Sequence, residues 1–323
     1  MKQITSEVVN TFLNGHDPME HIITMECDYQ DDRVSIVFVN DKGEKRVRLD
    51  DFKPFLWCKN SAAIRLFGGD RKELISQMRR YGISCKKLTT SDDGNVSDRL
   101  ENGYKYMFYA NRRMSYQKFL SFFKDAGVPV HESKKNGQTG ETNREYMVVT
   151  PVEQYMIQTG KRLFKGYENY NDLNRFIFDL ETQGLNPRVH RIEQIGIHTN
   201  RGFDKIISVT GNTKEELDAS ELNAIDMFLY ILSITKPDTV VGHNSENFDW
   251  DFLIVRCEEL GADFKEMSLK YFKHPIYKKQ KESVLKLGGE VEYYRPTVMW
   301  GHIILDSLHA SRRAQAIDSN MKK

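Results

Sequence analysis

Residues 33–39 (Arg-Val-Ser-Ile-Val-Phe-Val) are rich in β-branched residues, and residues 45–49 alternate polar and apolar again. Between them Asn40-Asp41-Lys42-Gly43 supplies turn chemistry, so the stretch predicts a β-hairpin. An aromatic strand follows within residues 50–59, where Pro54 points to a sheet edge or a strand start. From Asp70 to Tyr81 the apolar period becomes helical, at Leu74, Ile75, Met78 and Tyr81. A second helix is predicted from Ser115 to Ala126, through Phe119, Leu120, Phe122 and Phe123, and Gly127-Val128-Pro129 stops it. Residues 132–143 turn polar and glycine-bearing, as a surface loop does, and 146–150 read as a short strand followed by Pro151.

A polar, tyrosine-bearing segment at 167–174 separates this half from the apolar strand Arg175-Phe176-Ile177-Phe178. The boundary is placed there, giving domains 1–172 and 173–323. Strands at 192–198 and 206–210, a helix from about Thr213 to Thr235, a buried strand Thr239-Val240-Val241-Gly242 and a helix from Asp249 to Leu260 follow. Strands alternating with long helices predict an α/β layer structure behind a β-rich first domain, α+β overall. Residues 282–301 carry strand-like segments around Gly288-Gly289, 303–308 read as a strand, and 312–323 as a helix or basic tail.

With 323 residues the chain has room for two ordinary cores. It is 39% hydrophobic and 29% charged, and no apolar run nears the roughly 18 residues of a membrane span. The first ten residues lack the apolar centre of a secretory signal. Cys27, Cys58, Cys85 and Cys257 lie far apart without a CxxC spacing, which predicts reduced thiols in a cytoplasmic protein and disfavours zinc. The net charge of +1 means that nucleic-acid contacts must come from local patches. One such stretch is Lys270, Lys273, Lys278, Lys279, Lys281 and Lys286, interleaved with Tyr271, Phe272 and Tyr277, though a charge run also suits a solvated face.

The strand 175–178 runs directly into Asp179-Leu180-Glu181-Thr182. Residues two apart on a strand share a face, so the two carboxylates converge and repel unless a cation lies between them. Hard carboxylate oxygens suit Mg²⁺ or Mn²⁺. A second element starts where the strand 239–242 ends: Asn244-Ser245-Glu246-Asn247-Phe248 leads to Asp249 at a helix start. Alone, Asp249 also fits as a helix-start acid and Asn244 as a turn residue.

Phe178-Asp179-Leu180-Glu181-Thr182-Gln183-Gly184 resembles the first exonuclease motif of the family B DNA polymerases, and residues 244–249 resemble their second. Residues 53–59 are similar to part of their N-terminal domain, and 303–308 to the strand after their exonuclease hairpin. The likeness spans nearly the whole chain and is nearest the phage-type branch. It implies a ribonuclease H-like 3′→5′ exonuclease domain, with Asp179, Glu181 and Asp249 as catalytic and metal-holding residues around two Mg²⁺ or Mn²⁺ ions. It further implies that Leu180 and Phe248 pack against the terminal base or sugar of a DNA primer end, with Thr182 and Asn244 also touching that single strand. Residues 282–301 would be the family's hairpin, or an ordinary surface one.

The family's third motif, a Tyr with an Asp at helical spacing, has no match after Asp249; His302 and Asp306 imitate it within an apolar run, where Asp306 reads as a strand-end residue. The polymerase palm is absent as well. The domain is therefore expected to be incomplete at its C-terminus and to work with a separate C-terminal polymerase chain, in the host cytoplasm for a phage-encoded protein. Two alternatives stay open: a free-standing exonuclease using Asp306 or another acid, and a non-catalytic module that binds single strands through the basic, aromatic 270s.

Overall fold

A computed structural model describes residues 15–59, 65–87, 104–128, 146–287 and 290–317. Its contacts divide the chain into two compact units, residues 1–165 and 166–323.

The first unit holds two antiparallel sheets. Strands β1 (Ile22–Glu26), β2 (Arg33–Val39) and β3 (Lys45–Asp51) form one in that order. The turn between β2 and β3 closes with the Gly43 N–H on the Asn40 carbonyl, and Gly43 takes a positive φ of 75° there. Strands β4 (Phe55–Cys58), β5 (Ile83–Lys87), β6 (Tyr106–Ala110) and β7 (Tyr146–Met147) form the other, ordered β5-β6-β4-β7. Pro54 thus marks a strand start, since β4 lies inside its sheet. Helix α1 (Arg71–Tyr81) is capped by Asp70, whose side chain accepts from Lys72 and Glu73, and ends on left-handed Gly82. Helix α2 (Tyr116–Asp125) buries Phe119, Phe122 and Phe123 against Phe108 of β6. A helix α3 (Pro151–Thr159) stands where no helix is predicted; Thr150 and Glu153 form its capping box around Pro151. The loop expected at 132–143 lies outside the described residues.

The second unit is built on a mixed five-stranded sheet of β8 (Arg175–Thr182), β9 (Ile192–Thr199), β10 (Asp204–Ser208), β11 (Thr239–Gly242) and β16 (Ile303–Asp306). The order is β10-β9-β8-β11-β16, antiparallel from β10 to β8 and parallel from β8 through β11 to β16. Helix α4 (Lys214–Thr235) connects β10 to β11 and starts with a Thr213–Glu216 capping box. Helix α5 (Asp249–Glu259) follows β11, and a short α6 (Phe264–Leu269) follows it. Strands β12 (Tyr277–Lys278) and β15 (Thr297–Val298) pair with each other, and β13 (Ser283–Leu287) pairs with β14 (Glu290–Tyr294) as a hairpin. Helix α7 (Ser307–Ile317) follows β16.

Phe176, Phe178 and Leu180 of β8 pack with Phe228 of α4 and Trp250 of α5 in one core. Both helices therefore cover the same face of the sheet. The other face turns Ile177, Asp179 and Glu181 of β8 outward and leaves Ile206 of β10 64% exposed. The four cysteines form no disulfide. Among the described residues no helix is long and apolar enough to cross a membrane.

Candidate active site

Strand β8 supplies two carboxylates by alternation: Asp179 and Glu181 are exposed, while Phe178 and Leu180 between and beside them are buried. The third arrives from the other side. Strand β11 pairs with β8 only over Arg175–Ile177, so further along β8 that edge has no strand partner. The N–H of Leu180 instead donates to Oδ1 of Asp249 at 3.2 Å. The helix-start carboxylate thus meets the strand at the residue between Asp179 and Glu181.

The turn from 243 to 248 places Asp249. Asn244 takes φ 61°, a left-handed conformation that asparagine tolerates, and its carbonyl accepts the N–H groups of Asn247 and Phe248 at 3.1 and 3.0 Å. Asp306, at the end of the neighbouring β16, holds this turn from beneath. Its Oδ1 accepts from Asn244 and Leu308 at 2.9 Å each, and its Oδ2 accepts from Glu246 at 3.0 Å. Glu246 is itself buried, with Oε2 taking the N–H and hydroxyl of Thr297 at 2.8 and 2.7 Å and the Lys278 ammonium at 3.1 Å. Farther out, the Asn247 amide donates to Glu292 of the β13–β14 hairpin at 3.0 Å.

Asp249 is only 1% exposed. Burial foremost, then the negative charge of Asp179 and more weakly that of Asp306, push its carboxyl up to about 7 against the opposing N–H groups of Leu180 and Asp249 itself. Among the described residues no three Asp, Glu, His or Cys side chains already stand together as a metal cluster. The donor set still suits a hard divalent cation: three carboxylates from two neighbouring elements, with the charge of Asp179 raising the carboxyl of Asp249. A cation between them would remove that repulsion.

The remaining expected contacts divide. Leu180 is 6% exposed, with its side chain in the core and its backbone N–H on Asp249. Thr182 is half-buried and uses its hydroxyl on the Gly184 carbonyl at 3.0 Å, shaping the turn after β8. Phe248 is half-buried with its ring 5.3 Å from that of Phe252. Asn244 is half-buried in the turn itself.

The basic 270s are less available than the sequence suggests. Lys270 pairs with Asp226 at 2.9 Å, and Lys278 is buried on Glu246 with Asp251 at 3.7 Å. Tyr271 donates its hydroxyl to Asp226 at 2.7 Å, and Phe272 packs on the core. Sequence reading also passed over Glu221 and Arg256, a buried ion pair beside this site. A signal was present: Glu221 interrupts the apolar stripe that continues through Ala224, Ile225 and Phe228.

Residues 176–289 match the model of the RNase H superfamily. A DNA polymerase of Thermococcus kodakarensis is 26% identical over 243 residues, which are 71% of this chain and 13% of that protein. A solved structure of the family B DNA polymerase from the hyperthermophilic archaeon Pyrobaculum calidifontis superposes with a TM-score of 0.52 at 14% identity, over 88% of this chain and 36% of that one. The shared fold thus extends beyond the sheet of the second unit, and the chain spans well under half the length of either relative.

Proposed function

We propose that this chain is the N-terminal and proofreading part of a DNA polymerase, removing nucleotides from single-stranded DNA 3′ ends by metal-dependent hydrolysis. The observation that carries the reading is the Asp249 carboxylate seated on the Leu180 N–H, on the strand edge that bears Asp179 and Glu181, within an RNase H-like sheet. The resemblance to archaeal polymerases points to DNA as the substrate.

In this reading Asp179, Glu181 and Asp249 hold two Mg²⁺ or Mn²⁺ ions, which when bound acidify water and offset the charge developing on the phosphate. Asp179 and Glu181 face solvent, so a cation that they hold would be open to an incoming phosphate end without rearranging the core. Asp249, buried and bonded to the strand, gives up its proton near pH 7 and fixes the inner wall. Phe248 offers its exposed edge to the terminal base, and Asn244 its amide to the strand.

Partly exposed apolar positions on the sheet face away from α4 and α5 are compatible with a polymerase partner on further polypeptide. Ile206 is exposed there, and Ile177, Val241 and Leu305, which share a row across β8, β11 and β16, are only half-buried. Apolar surface of this kind, beside a catalytic edge, is what a docking chain covers. One alternative fares worse. Asp306 has both oxygens engaged by backbone N–H groups, which weighs against its serving as the missing acid. Of the basic stretch, Lys278 and Tyr271 are engaged within the protein while Lys273, Lys279, Lys281 and Lys286 stay exposed, so a binding role for these lysines is compatible with hydrolysis at the carboxylates.

The test is a 5′-labelled single-stranded oligonucleotide incubated with the chain, alone and mixed with its candidate polymerase chain. Stepwise shortening from the 3′ end that needs Mg²⁺ or Mn²⁺ and stops with chelator is the expected result. Retained binding with no shortening in either mixture would overturn it in favour of a binding module.

Asn244 offers a separation of backbone from side chain. Asn244→Gly keeps the left-handed turn and should melt near wild type, whereas Asn244→Ala should lose about 1 kcal/mol to the strained φ. If the amide touches DNA, both variants weaken oligonucleotide binding in a fluorescence titration, the glycine variant without a stability loss. Binding unchanged in Asn244→Gly would confine Asn244 to the turn.

A further inference from the structure

We infer that Glu221 is a positioning residue of the carboxylate site, one buried side chain that fixes the strand end carrying Glu181 and the helix carrying Asp249 relative to each other. The inference rests on the site reading above.

Glu221 lies in α4 and is 0% exposed. A carboxylate removed from water is costly unless its oxygens are fully used. Here they are. Oε1 accepts from Nε of Arg256 at 2.8 Å and from the N–H of Ile192 at 2.9 Å. Oε2 accepts from Nη2 of Arg256 at 2.8 Å and from Nη1 of Arg191 at 3.3 Å. Arg191 closes the outer side on Asp218 at 2.5 Å.

Each of these contacts leads to one half of the site. Strands β8 and β9 slip register beside Glu181: Glu181 faces Gln194 while Thr182 faces Ile192, so Glu193 is the extra residue of a bulge. The Ile192 N–H at that bulge goes to Glu221. Glu221 thus substitutes for a ladder partner at the point where the strand end could slide. On the other side Arg256 sits seven residues beyond Asp249 on α5, two turns along the same face. Its third nitrogen, Nη1, donates to the Pro187 carbonyl at 3.1 Å, in the connection that follows Glu181. Strand β9 and helix α5 thus meet at the Glu221 carboxylate, and the loop after Glu181 joins them through Arg256.

A purely stabilising role fits this poorly. A buried ion pair adds little over well-packed apolar residues of the same volume, whereas a forked pair fixes angle and distance. Lysine cannot reproduce the fork. Groups bonded directly to metal ligands commonly change metal affinity by about 10- to 100-fold when replaced; Glu221 acts one step further back, through Ile192 and Arg256, so the lower end is expected.

The experiment is Mn²⁺ binding to the full chain at pH 8, followed by electron paramagnetic resonance, beside thermal melting of the same samples in chelator. Arg256→Lys and Glu221→Gln are expected to weaken Mn²⁺ binding about tenfold while retaining a cooperative melt. Arg188→Lys is the control, because Arg188 joins the same loop to the same helix through an exposed pair with Glu259 at 2.8 Å, and it should bind as wild type. Asp179→Asn reports on the site itself. If wild type binds no Mn²⁺, or Asp179→Asn binds as wild type does, the carboxylate-site reading fails and this inference with it. If Asp179→Asn loses the ion while Arg256→Lys and Glu221→Gln keep full affinity, Glu221 is structural only and the inference alone is overturned. Arg256→Lys leaves Glu221 with a cation beside it, so it carries the test if Glu221→Gln does not fold.

Discussion

Asp249→Asn is expected to make the chain more stable above neutral pH while removing hydrolysis. Its carboxyl stands at about 7 in the folded chain against an ordinary value of 3.8. Between those values the folded state holds a proton that the unfolded chain has released. Stability is therefore fully present below about pH 4 and is lost as pH rises through 7. The gap corresponds to at most about 4 kcal/mol, and relaxation around the charge should leave about 2 kcal/mol at pH 8. For a unit of this size that is roughly 4–8 °C in melting temperature. In chelator, wild type should melt lower at pH 8 than at pH 4 by about this much more than Asp249→Asn does; comparing the two cancels histidines and other groups common to both. Adding Mg²⁺ at pH 8 should raise the wild-type melting temperature more than that of the variant, which keeps only Asp179 and Glu181 as ligands. Hydrolysis should fall by about 10³-fold or more, the loss of several kcal/mol of transition-state stabilisation. Equal pH dependence in the two proteins would mean that Asp249 is neither desolvated nor close to Asp179.

The same residue shows what the sequence could and could not say. Two carboxylates at alternating positions after an apolar strand are legible because strand geometry is local, and their shared exposure follows from a period of two. Asp249 at a helix start is legible for a similar reason, and Asp70, Ser115 and Thr213 announce their helices by the chemistry of capping. The helix at 151–159 shows the opposite failure, since Thr150, Pro151 and Glu153 spell a helix start but 146–150 read as a short strand merely followed by Pro151. What local pattern cannot carry is pairing at a distance. Nothing near Leu180 reveals that its N–H faces Asp249 across 69 residues, or that Asp306 reaches back to Asn244 across 62. The lysines of the 270s illustrate the converse: a charge run on paper loses Lys278 to a buried carboxylate once the chain folds. The fold class, a β-rich unit followed by an α/β unit, was within reach because alternation of strands and helices is a property of the whole stretch, while the RNase H-like form followed from the resemblance of residues 178–184 and 244–249.

Gly242→Ala should collapse the turn on which the site depends. A Cβ built at Gly242 would lie 2.4 Å from the Cβ of Ser245 and 2.7 Å from its Oγ. Ser245 has no room to yield: it is 0% exposed, and its hydroxyl has no hydrogen-bond partner among the described residues. The clash is with the branch point of the side chain, not a flexible end, so the backbone must move. That backbone is the turn held by Asp306 at Asn244 and Glu246, and the Ser245 carbonyl accepts the Trp250 N–H at 3.1 Å within the first turn of α5. Displacement therefore passes to Asp249 and away from the Leu180 N–H. Overpacking of this kind costs about 1–3 kcal/mol, and the strain here falls at the upper end because two networks oppose relief. Hydrolysis should fall about 100-fold, since even about 1 Å of misplacement at reacting groups has an effect of that order. The double variant Gly242→Ala with Ser245→Gly removes the opposing Cβ and should recover most of both losses, which thermal melting and the oligonucleotide assay would read together. A single variant that melts and hydrolyses like wild type would show that the turn gives way without moving Asp249, and the tight packing of 242 on 245 would then have no bearing on the site.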